Sequence, residues 1–135
     1  GVVHMCGGVA ALVGATLLGP RQSFKDNNTQ TPMYGPVFQA LGTFILWFGW
    51  YGFNGGSTLG LSPDASTRDA ARVVVTTTIS AASGGITVIL MEKLLGEKIW
   101  SVGACCNGIL GGLVSITAGC SVMYPVMAMT IADHG

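Results

Sequence analysis

Residues Thr43–Thr58 read TFILWFGWYGFNGGST. Six of them are Trp, Phe or Tyr and none is charged; glycines fall at Gly49, Gly52, Gly55 and Gly56 before two hydroxyls close the run. A helix satisfies its own backbone polar groups, so an uncharged segment of this kind belongs in a bilayer, where exposed apolar side chains carry no penalty. Rings beside a polar terminus also offer a surface on which a partly dehydrated cation can rest.

The rest of the chain repeats that pattern. Half of its 135 residues are hydrophobic and 9% are charged, against about 25% charged in soluble domains. Apart from His4, no ionisable side chain other than cysteine and tyrosine interrupts residues 1–20, 36–63, 73–91 or 99–132. Each gap reaches the length of a bilayer-crossing helix, about 20 residues. The expected fold class is therefore an all-α polytopic membrane protein in contact with lipid, with spans at about 1–19, 36–57, 70–93, 99–119 and 122–135.

Taken in order, the first span is stopped by Gly19-Pro20, and Gly7, Gly8, Ala11, Gly14 and Ala15 give it a small-residue face that a neighbouring helix could approach. Pro36 opens the second at a first-turn position, and Gly52 and Gly56 sit four apart within it. Leu59 to Arg68 reads as a loop turning at Ser62-Pro63-Asp64. The third span carries Thr76, Thr77, Thr78, Ser80, Ser83 and Thr87. Their simplest role is to bond carbonyls one turn back on their own helix, with a polar-lined path as the second reading. In the fourth span Gly108 and Gly112 repeat the four-residue spacing, and Asn107 is expected to hydrogen-bond across helices. Val122 begins the fifth.

Arg21 and Lys25 follow the first span and Lys93 and Lys98 the third, while Arg68 and Arg72 border the second loop. Four basic residues against two favours a cytoplasmic first and third loop. The zero net charge and absence of a basic cluster argue against a nucleic-acid partner. Cys6, Cys105, Cys106 and Cys120 lack zinc-ligand spacing and are expected as packed free thiols, with no metal and no cofactor. Gly1-Val2-Val3-His4 opens inside an apolar helical pattern with no initiator Met, cap or leader, as expected of an internal fragment.

Three blocks resemble the ammonium transporter (Amt/Rh) family, in wording close to its plant and algal branch. They are Gly1–His4 with Gly7–Ala15, Leu46–Thr58, and Gly103–Cys105 with Asn107-Gly108 and the following Gly-Leu-Val-Ser-Ile-Thr-Ala-Gly-Cys. The second block is highly specific. The resemblance implies an eleven-helix transporter of two inverted halves, a homotrimer with one pore per subunit, of which this chain is about a third. It implies transport of ammonium or ammonia, methylammonium fitting by size, in nitrogen uptake across the plasma membrane. Inverted repeats with a midplane site are a recurrent transporter plan.

By the same resemblance His4 matches the first of two pore histidines, Phe53 one of two stacked gating rings, Ser57 the hydroxyl of the outer ammonium site, and Trp50 a pore-lining tryptophan. The ending Ala132-Asp133-His134-Gly135 departs from the family, which continues apolar there, so His134 is not the second pore histidine. Each residue alone reads as structure: His4 as a satisfied core histidine, Phe53 as packing, Ser57 as a helix-end hydroxyl. The set carries the functional reading. Its rival is a membrane-embedded ammonium sensor on the same fold. An enzyme is the weakest reading, because His4 is the one acid–base candidate within the well-formed spans. Electrogenic transport and a gas channel both stay open.

Overall fold

The uncharged run Val2–Leu18 forms α1. It ends where Gly19 turns into the left-handed region, at φ 66°, with its N–H donating to the Ala15 carbonyl at 3.0 Å. Glycine is favoured there because a Cβ would clash, and Pro20 bars continuation. The computed structural model describes residues 2–20, 35–58, 66–95 and 100–132, in two units, Gly1–Met33 and Tyr34–Gly135. Among the described residues the first unit holds α1 with its cap.

The second unit holds α2 (Pro36–Gly56), α3 (Ser66–Leu95), α4 (Val102–Thr117) and α5 (Pro125–Ala132). Proline stands at the start of α2, where the missing N–H has no intrahelical partner to lose. Asp69 in the first turn of α3 and Lys93 in its last complement the helix dipole. Ser101 caps α4, its hydroxyl accepting from the Ala104 N–H at 3.1 Å. Lys93 Nζ lies 5.4 Å from the Trp100 ring centroid, joining the end of α3 to the approach of α4.

Two boundaries differ from expectation. Arg68 is helical rather than in the loop, because α3 starts at Ser66, with Asp69 in its first turn favouring the helix N-terminus. Val122 does not open the last helix: Val122 and Met123 both donate their N–H to the Gly119 carbonyl at 3.0 Å in a turn, and α5 waits for Pro125.

α3 packs most extensively against α4, and α2 and α5 each lean on both. The seam between α3 and α4 runs backbone to backbone. A Cβ at Gly84 would run into the Gly108 carbonyl, and one at Gly112 into that of Ser80 while sitting 3.1 Å from Ala81 Cα. The Ser80 hydroxyl crosses the seam to the Gly112 carbonyl at 2.8 Å. Below it Val73, Ile116, Cys120 and Ala128 form the core, flanked by Ile79 and Met123. The buried Thr76 hydroxyl has one proton to give and lies 3.0 Å from the Arg72 carbonyl and 2.9 Å from that of Cys120. Arg72 reaches the neighbouring Ser121 carbonyl at 3.3 Å.

α2 is built inside out by the standards of water. Its buried residues are the polar Thr43 and Asn54, while Phe48 is 79% exposed. Among the described residues one helix, Thr67–Leu95, is long and apolar enough to cross a membrane by length and composition; Val2–Leu18 and Val102–Thr117 are apolar but shorter. At 1.5 Å per residue α1 rises about 26 Å, against a hydrocarbon core of about 30 Å. The loop charges Arg21, Lys25, Asp64 and Lys98, the Ser62-Pro63-Asp64 turn and the Asp133-His134-Gly135 ending lie outside the described residues.

Candidate functional site

The last two turns of α2 and its C-cap hold three of the four sequence-predicted residues. Trp50, Phe53 and Ser57 are spaced i, i+3, i+7, and at about 100° per residue they fall within about 60° of one another round the axis. The Phe53 ring is 44% exposed and lies 5.8 Å from the Trp50 ring at 58°. Ser57 is the C-cap, just past the helix end. Its hydroxyl donates to the Phe53 carbonyl at 2.7 Å. With its proton turned inward, the exposed Ser57 oxygen offers lone pairs outward, toward a donor such as an N–H cation.

Trp50 is anchored from behind. Its Nε1–H donates to Thr117 Oγ1 at 2.8 Å, and the Thr117 hydroxyl passes its own proton to the Leu113 carbonyl at 2.7 Å. Tyr51 and Asn54 occupy the neighbouring flank. The Tyr51 hydroxyl meets Thr78 Oγ1 at 2.8 Å, and since Thr78 donates to the Val74 carbonyl at 2.8 Å, the phenol is the donor. Asn54 Nδ2 donates to Thr77 Oγ1 at 3.0 Å, with both residues buried. Asn54 Oδ1 has no partner among the described residues, nor has the buried Trp47 Nε1, whose ring stacks on Phe44 at 6.3 Å.

Two tilted ring faces beside an acceptor oxygen can hold a small cation by cation–π attraction, about 2 kcal/mol when desolvated, and by one hydrogen bond. Among the described residues no cluster of His, Cys, Asp or Glu could hold a metal ion. The four cysteines are free thiols, and the neighbours Cys105 and Cys106 are not joined. His4 stands in the first turn of α1, within the other unit.

Sequence reasoning missed the bond from Asn54 to Thr77 and expected Asn107 to bond across helices instead. Asn107 is exposed on α4 and makes no such bond among the described residues, while Asn54 carries the interhelical contact. The available signal was a lone amide inside an aromatic run, followed by the Thr76-Thr77-Thr78 run on the next helix. The hydroxyls of α3 divide between roles: Thr78 and Ser83 bond carbonyls one turn back, while Ser80 reaches α4 and Thr77 receives α2. An apolar cleft of about 210 Å³ lies toward the other end of α2, lined by Phe44, Ile89, Trp100, Cys105 and Ile109 among others. It includes none of the predicted site residues.

Helices that bury threonine and asparagine while turning phenylalanine outward define an all-α membrane protein. Which one follows from comparison: the sequence pattern of the Ammonium Transporter Family matches residues 1–132, and the chain belongs to that family, one of transport proteins rather than enzymes. It is 45% identical over 139 residues to putative ammonium transporter 1 member 5 of Arabidopsis thaliana, covering 96% of this chain. It is 41% identical to ammonium transporter 1 member 1 of Solanum lycopersicum over 96% of the chain, and 41% to ammonium transporter Amt2 of Archaeoglobus fulgidus over 97%. In each case the match covers 28% of the relative's length. No solved structure matches the chain.

Proposed function

We propose that this chain forms part of a transporter that carries ammonium or ammonia, and methylammonium by its size, across the plasma membrane as a homotrimer. The observation that carries the reading is the joint face of Trp50, Phe53 and Ser57 on α2, in a chain whose relatives are named ammonium transporters. At this outer site the cation sheds part of its water against the two rings and donates an N–H to Ser57 Oγ. Cation–π attraction of about 2 kcal/mol is small beside the several kcal/mol per ion that removal from water costs, so an intact charge stays expensive in an apolar pore. Loss of the proton removes that cost. His4 is the side chain given the task, as an imidazole can accept a proton or offer a hydrogen bond to ammonia. Its setting in an otherwise uncharged small-residue helix supports that role, since ionisable side chains in spans are costly and tend to be functional.

The orientation follows the loop charges: positions 25 and 98 cytoplasmic, 64 outside. Cysteines placed there and labelled in intact cells test it, and strong external labelling at 25 with none at 64 reverses it. For His4 the test is ammonium-evoked current and methylammonium uptake with His4→Leu or His4→Phe in a full-length family context, normalised to surface protein. Both are expected to fall to background while assembly persists. Wild-type current and uptake would leave His4 a packing residue.

A further inference from the structure

The three side chains that tie α2 to its neighbours are consecutive in space and lie next to the cation face. Trp50 reaches Thr117, Tyr51 reaches Thr78 and Asn54 reaches Thr77, at 2.8, 2.8 and 3.0 Å. At about 100° per residue Asn54 sits about 40° from Trp50 round the helix and about 60° from Ser57, on the flank turned to α3. Among the described residues the Gly52 and Gly56 pair makes no close contact: a Cβ at either meets nothing within 4 Å. Hydrogen bonds weaken steeply with angle, so a three-point tie fixes rotation about the axis where apolar contact alone would let the helix turn. Any such turn would carry Phe53 and Ser57 with it.

We propose that Asn54 and Thr77, supported by Tyr51–Thr78 and Trp50–Thr117, are positioning residues that set the rotation of the last two turns of α2, and so determine how well Phe53 and Ser57 receive a cation. The inference rests on the transport reading for its substrate. Its geometry does not need that reading. Asn54 touches no cation; it acts through its helix. Both partners are buried, Asn54 at 1% exposure and Thr77 at 0%, so water does not replace a lost bond. The threonine oxygen is the member to remove, since valine keeps its shape.

The test compares Thr77→Val with Thr77→Ser in a full-length family context, with Thr117→Val, which removes the tie from Trp50 to α4, as a second variant. Methylammonium uptake is read as half-saturation and maximal rate per surface transporter. Thr77→Val is expected to raise half-saturation about three- to tenfold at nearly constant maximal rate, Thr77→Ser to restore it, and Thr117→Val to act in the same direction. Placed on Phe53→Ala, Thr77→Val is expected to add little, because the residue it positions is gone. A purely structural role would lower surface amount or maximal rate while leaving half-saturation unchanged, and would add to Phe53→Ala. In parallel, Ser57→Cys is modified with a small cationic thiosulfonate, with the rate of the chain retaining Ser57 subtracted. Thr77→Val is expected to change that rate at least threefold and Thr77→Ser to leave it alone. Unchanged labelling and half-saturation in both valine variants overturn the positioning role. If the parent carries no methylammonium, the transport reading falls, and the labelling rates alone decide whether the tie orients the helix end.

Discussion

Two of the three contacts that α3 makes with its neighbours are built on opposite terms. Against α4 the chain removes side chains: Gly84, Gly108 and Gly112 bring backbones together, and the Ser80 hydroxyl bridges them. Against α2 it adds them: an amide and a phenol reach two threonine hydroxyls across the gap, and an indole does the same to α4. Burial by water expulsion offers helices in a bilayer little reason to associate, so contact there relies on close van der Waals approach or on hydrogen bonds. The glycine seam takes the first route and tolerates no added atoms. The α2 contact takes the second, and the helix so held is the one bearing the exposed rings and Ser57.

The seam breaks most severely. Gly112→Ala places a methyl against the Ser80 carbonyl, backbone against which no rotamer can relieve it, whereas a methyl at the adjacent Gly111 meets nothing within 4 Å. Overpacking of this kind costs about 1–3 kcal/mol, occasionally more, while alanine for glycine in a helix interior gains about 1 kcal/mol. Gly112→Ala is expected to cut the yield of folded protein and lower its unfolding temperature in detergent, and Gly111→Ala to leave both unchanged or slightly raised. Equal behaviour of the two would mean that the seam lies elsewhere.

Effects of the same order or smaller are expected on the α2 side. Asn54→Leu removes the donor to Thr77 but also the orphan Oδ1, so part of the loss is offset, and a fall of about 1 kcal/mol or less is expected. Thr77→Val leaves the Asn54 amide with neither partner and is expected to cost more, about 1–3 kcal/mol. Reversal of that order in thermal unfolding would show that the amide has a second partner. Thr76→Val is expected to cost less than Thr77→Val: the hydroxyl it removes has three alternative acceptors, all carbonyls, and those toward Arg72 and Val73 already bond within the helix. A drop of about 1 kcal/mol is expected from the Cys120 carbonyl it leaves unpaired.

The contrast also marks what could be read in advance. Apolar runs without charge gave the helices, and Gly19-Pro20 and Pro36 marked their ends, because those residues act on the local backbone whatever surrounds them. The Gly108 and Gly112 spacing pointed to a close face that exists, and the identical Gly52 and Gly56 spacing to one with no neighbour in its unit. Spacing describes one helix, whereas contact needs a second surface such as Gly84 and Ser80, and no local signal says which glycine pair will meet it. Asn54 and Asn107 pose the same problem. Each is a lone amide in an apolar helix, and the difference lies in Thr77 on α3, which faces Asn54. Trp50, Phe53 and Ser57 were named through a family likeness, and their common face is a consequence of helical spacing that the structure realises on α2.

The central claim is that this face of α2 receives the cation, and Phe53→Ala and Ser57→Ala test it most directly. The measurement is the concentration dependence of labelled methylammonium uptake in cells lacking their own transporters, with each variant in a full-length family context and normalised to surface amount. One hydrogen bond to a charged partner contributes about 1.5–3 kcal/mol before water substitutes for it, so Ser57→Ala is expected to raise half-saturation several-fold, and Phe53→Ala to alter flux or the preference for ammonium over potassium. Wild-type uptake and selectivity in both variants at normal surface amount would contradict the account and leave the two residues as packing.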